Sequence, residues 1–300
     1  MSTTEPLALV HRGKVRDLYA SGGELLVMVA SDRISAFDVI MAEPIAEKGR
    51  VLTAMSAFWC EAFADLAPMS LLATDPAAIV ALVPEAAALP DMAGRSMLVR
   101  RAEMLPLECI VRGYLAGQAL GEYEASGTIH GTPMPAGLQL ASALPAPMFT
   151  PSTKATEGHD MNIDFDAAAG LVGAELAGRA RDLCLKLYEL AAARCRRAGF
   201  ILADTKFELG LIDGELTVCD ELVTPDSSRL WPAGEVVAGT TPPAFDKQPL
   251  RDWLAAQPWD RRPPPPSLPP EVVAATSQRY IASYERVTGR RLSDWYGPRP

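Results

Sequence analysis

The stretch DTKFELGLIDGELTVCDEL, residues 204–222, decides the fold. Two β-prone runs flank the Asp-Gly dipeptide at 213–214, and this dipeptide is typical of tight hairpin turns, so the stretch predicts a β-hairpin. Asp204, Lys206 and Glu208 alternate along the first strand and therefore project from one face. Their neighbours are mostly apolar, which predicts a buried strand, and charges there are costly unless they are paired or bind a metal.

The register of this hairpin decides whether Asp220 joins the same face. A two-residue turn at 213–214 places Cys219 opposite Glu208 and turns Asp220 away, whereas a three-residue loop with Gly214 in the left-handed conformation brings Asp220 onto that face. Carboxylate oxygens on adjacent strands are ligands that magnesium prefers, usually with nucleotide phosphates completing the shell. A magnesium site therefore predicts the bulged turn. A solvated hairpin with cross-strand ion pairs is the equally weighted alternative.

Hydrophobic periodicity predicts further elements on both sides of the hairpin. They are a first hairpin with strands 14–20 and 24–30, a helix over 50–66, strands over 96–100 and 108–112, a short helix over 117–126, a long helix over 174–198 stopped by Gly199, a Pro-rich connector over 261–270 and a last helix over 270–288. Residues 127–165 are rich in Gly, Pro, Thr and Ser and predict a long, mobile or functional loop. This order favours an α+β fold with a smaller N-terminal lobe and a larger C-terminal lobe.

Composition excludes several classes of protein. The 300 residues carry a net charge of −9, so the chain gains nothing from counterion release on a nucleic-acid backbone, and we expect no nucleic-acid partner. Five cysteines without a C-x-x-C pair predict neither a disulfide framework nor a zinc site. No apolar run approaches 18 residues and the first residues have no apolar core, so we expect a cytoplasmic protein without signal peptide or membrane partner.

Basic residues outside the hairpin are candidate phosphate ligands. Gly13, Lys14 and Arg16 stand where the chain enters the first hairpin, and a glycine beside two cations allows close approach to phosphate oxygens. Arg112 and Arg229 can each clamp a phosphate in bidentate fashion, or equally form surface ion pairs. Neither a Walker A loop, a G-x-S-x-G elbow nor a G-x-G-x-x-G fingerprint is present, which leaves acyl-enzyme hydrolysis and a Rossmann cofactor without support.

Eight segments, taken in order, resemble the SAICAR synthetase (phosphoribosylaminoimidazole-succinocarboxamide synthase) family. They are GKVRDLY, SDRISAFDVIM, KGRVLTAMSAFW, ECIVRGYLAG, FTPSTKATEGHDMNI, DTKFELGL, CDELVTPDSSRLW and FDKQPLRDWL. Each segment is modest alone, but eight in order between residue 13 and about residue 254 are specific. The remaining C-terminal residues are similar to the extension of the long form of the family.

The resemblance implies a fold and a reaction. The fold is two-lobed α+β, with a kinase-like or ATP-grasp-like nucleotide cleft between lobes of residues 1–115 and 116–260, and with residues 261–300 packed on the second lobe. The reaction is an ADP-forming ligation of L-aspartate to carboxyaminoimidazole ribonucleotide in purine biosynthesis, and it proceeds through an acyl phosphate. ATP and magnesium are the implied co-substrate and ion, and the protein is implied to be a monomer or homodimer.

The resemblance also assigns roles to residues of this chain. The catalytic set is Lys14, Lys206 and Glu208. The ATP set is Lys14, Val15, Arg16, Glu103, Met104, Glu208 and Asp220, and the magnesium ligands are Glu208 and Asp220. The ribonucleotide set is Arg112, Gln118, Asp204, Asp226, Arg229, Lys247 and Arg251. Gln118 departs from the family pattern, which has serine there. Candidates for holding aspartate are Ser31, Asp32, Lys154 and His159, and no general base is assigned.

Two other functions remain open from the sequence. A small-molecule kinase on a related two-lobed fold would use the same Lys14, Glu208 and Asp220 and pass phosphate to a hydroxyl group. A non-catalytic nucleotide sensor would bind ATP without turnover. Neither explains the segments PSTKATEGHD and TPDSSRLW, so the ligase is the preferred hypothesis.

Overall fold

The computed structural model describes residues 7–20, 23–154 and 161–296. Within these residues the chain is α+β, as the sequence predicts. The strands are β1 (Ala8–Arg12), β2 (Arg16–Ala20), β3 (Leu25–Ala30), β4 (Ser35–Ala36), β5 (Val39–Ile40), β6 (Leu71–Ala73), β7 (Ser96–Arg100), β8 (Glu103–Met104), β9 (Leu107–Tyr114), β10 (Thr128–Ile129), β11 (Thr132–Pro133), β12 (Ala143–Phe149), β13 (Ser152–Thr153), β14 (Phe200–Ile212), β15 (Glu215–Cys219) and β16 (Ser228–Pro232). The helices are α1 (Lys48–Phe63), α2 (Pro76–Leu82), α3 (Gln118–Ser126), α4 (Phe165–Val172), α5 (Ala174–Arg197), α6 (Gln248–Ala255), α7 (Pro270–Thr288) and α8 (Leu292–Tyr296).

The first sheet has the strand order β1-β2-β3-β7-β6 and is antiparallel. The predicted first hairpin is confirmed, because β2 and β3 pair throughout, although residues 21 and 22 of its turn lie outside the described residues. Helix α2 covers this sheet and is capped at its N-terminus by Asp75, whose carboxylate accepts a hydrogen bond of 3.0 Å from the backbone N–H of Ala78. Val27, Ile79 and Leu98 form the small core between helix and sheet.

The second sheet is built around β14, a strand of thirteen residues. Its first half pairs with β9 and β16, and its second half pairs with β8 and β15. Helix α5 packs against it through buried residues such as Leu187 and Ala191, in the same core as Leu202 and Phe207. The chain reverses after α5 at Gly199, with φ of 79°, so the predicted stop signal is confirmed.

The prediction of one continuous long loop over 127–165 is wrong where four strands interrupt it. Strands β10 to β13 occupy this stretch, and β12 joins the second sheet beside β9. Two prolines at 145 and 147 hide the strand in the sequence, because proline cannot donate to a ladder. The structure accommodates them where the register shifts between Ala143 and Met148, so the ladder is interrupted at the prolines. Residues 155–160 lie outside the described residues.

The two sheets meet where β7 leads into β8. Strand β9 belongs to the second sheet, although the sequence-based division after residue 115 assigned it to the first lobe. Helix α1 packs against α7, and the Ser277 hydroxyl donates a hydrogen bond of 2.7 Å to the carbonyl of Ala46. This hydrogen bond joins α7 to the segment just before α1. In the part of the chain that the structure describes, no helix combines the length and apolar character needed to cross a bilayer.

Candidate active site

A cavity of about 400 Å³, here called the cleft, lies between the two sheets. Its apolar lining comes mainly from the first sheet and its link to the second, and includes Val15, Leu18, Leu26, Met28, Val99 and Met104. Its charged lining includes Lys14, Arg16, Lys154, Lys206, Glu208, Asp220 and Glu221. A mainly apolar cavity with a few convergent charged groups is typical of a small-ligand site, and this combination suits a flat base joined to phosphates.

Strand β14 places two charged side chains in the cleft. Lys206 and Glu208 are two residues apart and so lie on one face of the strand, with the lysine Nζ 2.9 Å from Glu208 Oε1. The same Nζ lies 2.8 Å from Glu108 Oε1 on the neighbouring strand β9. The other oxygen of Glu208 pairs with Lys154. Glu208 is therefore held between two cations, and Lys206 between two carboxylates.

These contacts set the charge states of Glu208 and Lys206. Burial alone would raise the pKa of Glu208, but the charges of Lys206 and Lys154 lower it to about 2. Burial alone would lower the pKa of Lys206, but Glu208 and Glu108 raise it above the ordinary value for lysine. Both side chains are therefore charged at neutral pH, and the Glu208 carboxylate is in the form that a metal ion requires.

The predicted bulged turn is wrong. The hairpin turns through two residues, Asp213 and Gly214, with φ of 52° and 78°, and Glu208 lies opposite Cys219. Two successive positive φ values match the right-handed twist of the strands, which favours this turn over a longer loop. Asp220 nevertheless lines the cleft with Glu208, because β15 ends at Cys219 and Asp220 itself adopts φ of 56°. Strand alternation no longer applies beyond that point.

Two predicted phosphate ligands have protein partners at the edge of the cleft. Arg16 Nη1 lies 2.9 Å from Asp220 Oδ1, and Arg16 Nη2 lies 2.7 Å from Glu221 Oε2. Burial would lower the pKa of Arg16, yet these two carboxylates raise it, whereas burial raises the pKa of Asp220. Lys14 forms an exposed ion pair with Asp38. Arg16 thus fixes the acidic segment that follows β15.

A second cavity of about 200 Å³, here called the pocket, lies on the second sheet. Asp204 on β14 pairs there with Arg112 on β9, at 2.6 Å, and with Arg229 on β16. The charged residues lining the pocket are four cations, Arg112, Lys206, Arg229 and Arg251, and two acids, Asp204 and Asp226. The lining therefore carries an excess of two positive charges in a chain of net charge −9, which suits a small anionic ligand.

Gly117 and helix α3 complete the pocket. Gly117 has φ of 59°, which favours glycine, and a Cβ there would lie 2.6 Å from Nη2 of Arg229, so a side chain at position 117 would displace the guanidinium. The next residue, Gln118, begins α3 and lines the pocket. The N-terminus of a helix presents free backbone N–H groups and a partial positive charge, which adds to the attraction for an anion.

Lys247 and Arg251 lie on successive turns at the start of α6. Arg251 lines the pocket, whereas Lys247 is buried behind it with its Nζ 2.9 Å from Oδ2 of Asp226. The predicted basic pair is therefore brought to the pocket, with one member facing it and the other acting through Asp226. Lys206 lines the cleft as well as the pocket, so it stands where the two cavities adjoin.

The structure gathers most of the residues singled out from the sequence into these two cavities. Two residues of the predicted site line neither cavity. Glu103 is exposed on β8, while its neighbour Met104 lines the cleft, and Lys247 lies behind the pocket. Sequence reasoning missed Glu108 and assigned no role to Glu221, although Glu221 follows the predicted ligand Asp220 directly. Glu108 stands four residues before Arg112 on a predicted strand, so the alternation of side chains was an available signal for it.

The described candidates for holding aspartate differ in their contacts. Ser31 donates to the carbonyl of Val15, and Asp32 accepts from the N–H of Gly49 and pairs with Arg95 at 3.3 Å, so both have partners within the protein. Lys154 lines the cleft and pairs there with Glu208. His159 lies outside the described residues.

The described residues hold no group of three or more His, Cys, Asp or Glu side chains that would bind a metal unaided. Magnesium, however, is usually bound by one or two carboxylates together with substrate phosphates. Glu208 and Asp220 line the same cleft and are such a pair. The donor set therefore fits magnesium bound together with a nucleotide.

Fold and cavities together define a class: a two-lobed α+β enzyme in which a nucleotide-sized cleft adjoins a cationic pocket. A sequence model of the SAICAR synthetase family matches residues 9–266. A phosphoribosylaminoimidazole-succinocarboxamide synthase of Syntrophobacter fumaroxidans is 50% identical over 95% of this chain and 94% of its own, and one of Saccharopolyspora erythraea is 51% identical over 95% of both. A solved SAICAR synthase from Saccharomyces cerevisiae, complexed with SAICAR, superposes with a TM-score of 0.87 at 40% identity, covering 97% of this chain and 99% of that one. The chain belongs to the SAICAR synthetase family.

Proposed function

We propose that the protein is an ATP-dependent ligase that joins L-aspartate to carboxyaminoimidazole ribonucleotide and releases SAICAR, ADP and phosphate in purine biosynthesis. Membership of the SAICAR synthetase family supports this reaction and does not favour the kinase alternative. The observation that carries the proposal in the structure is the position of Lys206, which lines the cleft and the pocket at once. A phosphoryl group passing between ligands in the two cavities would pass this lysine.

In this proposal the cleft binds ATP. The apolar side chains of Val15, Met28 and Met104 would contact the base, and the β8 backbone at Glu103 and Met104 would offer it hydrogen-bonding groups. Lys14 and Arg16 would meet the phosphates, with Lys14 leaving an exposed ion pair to do so. An exposed pair is worth little, so its exchange for a phosphate contact is readily made.

The pocket would bind the ribonucleotide. Its phosphate and carboxylate are anionic, and the excess of positive charge contributed by Arg112, Arg229 and Arg251 matches them. Gln118 at the N-terminus of α3 would donate to the phosphate in place of the serine of the family pattern. Asp204, Asp226 and Lys247 would keep these cations in position through the ion pairs described above.

The chemistry follows from the two ligands. The ribonucleotide carboxylate is unreactive toward amines, so its oxygen first attacks the γ-phosphorus of ATP, and ADP leaves. The amine of aspartate then attacks the carbonyl carbon of this acyl phosphate, loses a proton, and phosphate leaves with the C–O electron pair. Lys206 and Lys14 would offset negative charge on the transferring group. A protein nucleophile is not needed in this sequence of steps.

Magnesium bound by Glu208, Asp220 and the nucleotide would neutralise phosphate charge and align the transferring group. Glu208 is already ionised because Lys206 and Lys154 lower its pKa. The first sheet would cover the nucleotide, and the second lobe would carry the magnesium and ribonucleotide residues. We place the enzyme in the cytoplasm, as a monomer or homodimer.

The proposal is tested by measuring ADP release with ATP, magnesium and the ribonucleotide, with and without L-aspartate. ADP release that depends on aspartate, together with the succinocarboxamide product, is expected. ADP released without aspartate and transferred phosphate found on a hydroxyl group would support a kinase instead. ATP binding without ADP release under any of these conditions would support a nucleotide sensor.

A further inference from the structure

Asp226 lies at the wall of the pocket, yet its side chain is only 2% exposed and is surrounded by partners. Its Oδ2 lies 2.9 Å from Lys48 Nζ and 2.9 Å from Lys247 Nζ. Its Oδ1 accepts a hydrogen bond of 2.6 Å from the hydroxyl of Tyr280. The carboxylate is therefore contacted by three side chains, none of which itself lines the pocket.

These three partners come from distant parts of the chain. Lys48 is the first residue of α1, Lys247 precedes α6, and Tyr280 lies in the middle of α7. The side chains of Lys48 and Tyr280 are both fully buried. Helices α1 and α7 pack against each other, and Ser277, one turn before Tyr280, donates to the carbonyl that lies two residues before Lys48. Helix α7 is thus part of the scaffold behind the pocket.

Burying these charged groups costs free energy, which indicates that the arrangement has a role beyond stability. Burying two ammonium groups beside one carboxylate carries a desolvation penalty, which apolar side chains of similar volume would avoid. Burial, together with the like charge of Lys247, lowers the pKa of Lys48 to about 8 despite the opposite charge of Asp226. Both lysines contact Asp226, which lines a cavity whose charged residues are mostly cationic. The charges of the two lysines would add to the attraction of the pocket for an anion.

We propose that Tyr280 and Lys48 are positioning residues of the pocket, which fix Asp226 and, through it, the segment from Pro225 to Arg229. This inference rests on the proposed function, in which the pocket binds the ribonucleotide. Ser227, Ser228 and Arg229 follow Asp226 directly and line the same pocket. A carboxylate that is free to rotate would let this segment shift, and positioning residues act through such small displacements.

The test compares two tyrosine hydroxyls on the same helix. Tyr280→Phe removes the hydrogen bond to Asp226, and Tyr284→Phe, one turn further along α7, removes a hydroxyl from another fully buried ring that does not contact Asp226. We expect Tyr280→Phe to raise KM for the ribonucleotide roughly tenfold, the size of one charge-assisted hydrogen bond, with KM for ATP unchanged within about twofold. Tyr284→Phe should change neither KM.

A double-mutant cycle separates positioning from a general loss of stability. In an Asp226→Asn background the two lysines contact the amide oxygen. Tyr280→Phe should then raise KM for the ribonucleotide by less than about twofold. Equal increases in KM for ATP and for the ribonucleotide would overturn the inference. So would a double variant whose increase in KM for the ribonucleotide is the product of the increases in the two single variants. In both cases the wild-type activity still supports the ligase. A wild-type protein that makes no product from aspartate and the ribonucleotide would overturn the proposed function, and this assignment with it.

Discussion

Arg229→Ala is expected to weaken binding of the ribonucleotide far more than binding of ATP. The guanidinium of Arg229 lines the pocket and pairs with Asp204, and Gly117 leaves the space in which it lies. Removal leaves Asp204 paired with Arg112 at 2.6 Å, so the buried carboxylate is not orphaned and the fold should survive. One charge-assisted hydrogen bond to an anion is worth about 1.5–3 kcal/mol, which corresponds to roughly a 10- to 150-fold increase in KM for the ribonucleotide.

The assay is steady-state ADP release with each substrate varied in turn, supported by a thermal melt of the same preparations. Arg181→Ala is the matched control, because Arg181 is an exposed arginine that also pairs with an aspartate, Asp182, at 2.9 Å. This control should leave both KM values within about twofold. An Arg229→Ala protein whose KM values for ATP and ribonucleotide rise equally, or whose melting temperature falls while both KM values stay unchanged, would show that Arg229 is a structural arginine.

Three further outcomes are expected. Glu208→Ala should nearly abolish turnover while circular dichroism stays native, and wild-type turnover in that variant would remove Glu208 from the magnesium site. The pKa of Glu208 is lowered from 4.5 to about 2 in the folded protein, so the contribution of its charge to stability should be full above about pH 4.5 and be lost as the pH falls toward 2. In denaturant melts across this range, the free energy of unfolding should fall less with pH in Glu208→Gln than in the wild type. Gln118→Ser should keep KM for the ribonucleotide within about threefold and Gln118→Ala should raise it further, and identical values for the two variants would mean that residue 118 donates nothing to the ligand.

Local sequence patterns predicted the elements well where a single face had to be buried. The long helix α5 and helix α7 carry apolar residues at helical spacing, and each is followed within two residues by a glycine with positive φ. Strand β12 was missed because its prolines are incompatible with a regular ladder, and only the partner strand β9 shows that the ladder is interrupted where they stand.

The turn at 213–214 shows a second limit of the sequence. The Asp-Gly dipeptide predicts a tight turn, but the magnesium hypothesis required a longer one in order to bring Asp220 beside Glu208. The tight turn was correct, and Asp220 reaches the cleft through its own positive φ after the strand ends. Strand alternation is a rule for residues inside a strand, so it could not place the first residue beyond one.

The sequence by itself determined the α+β class, the charged face of β14 and the family, because these depend on side-chain periodicity and on ordered motifs along the chain. The tertiary structure alone decided which charges meet. Glu108 reaches Lys206 only through the pairing of β9 with β14, and Lys48 meets Tyr280 at Asp226 only because α1 packs against α7. Contacts between residues 54 to more than 200 positions apart depend on how elements pack, and local spacing carries no information about that packing.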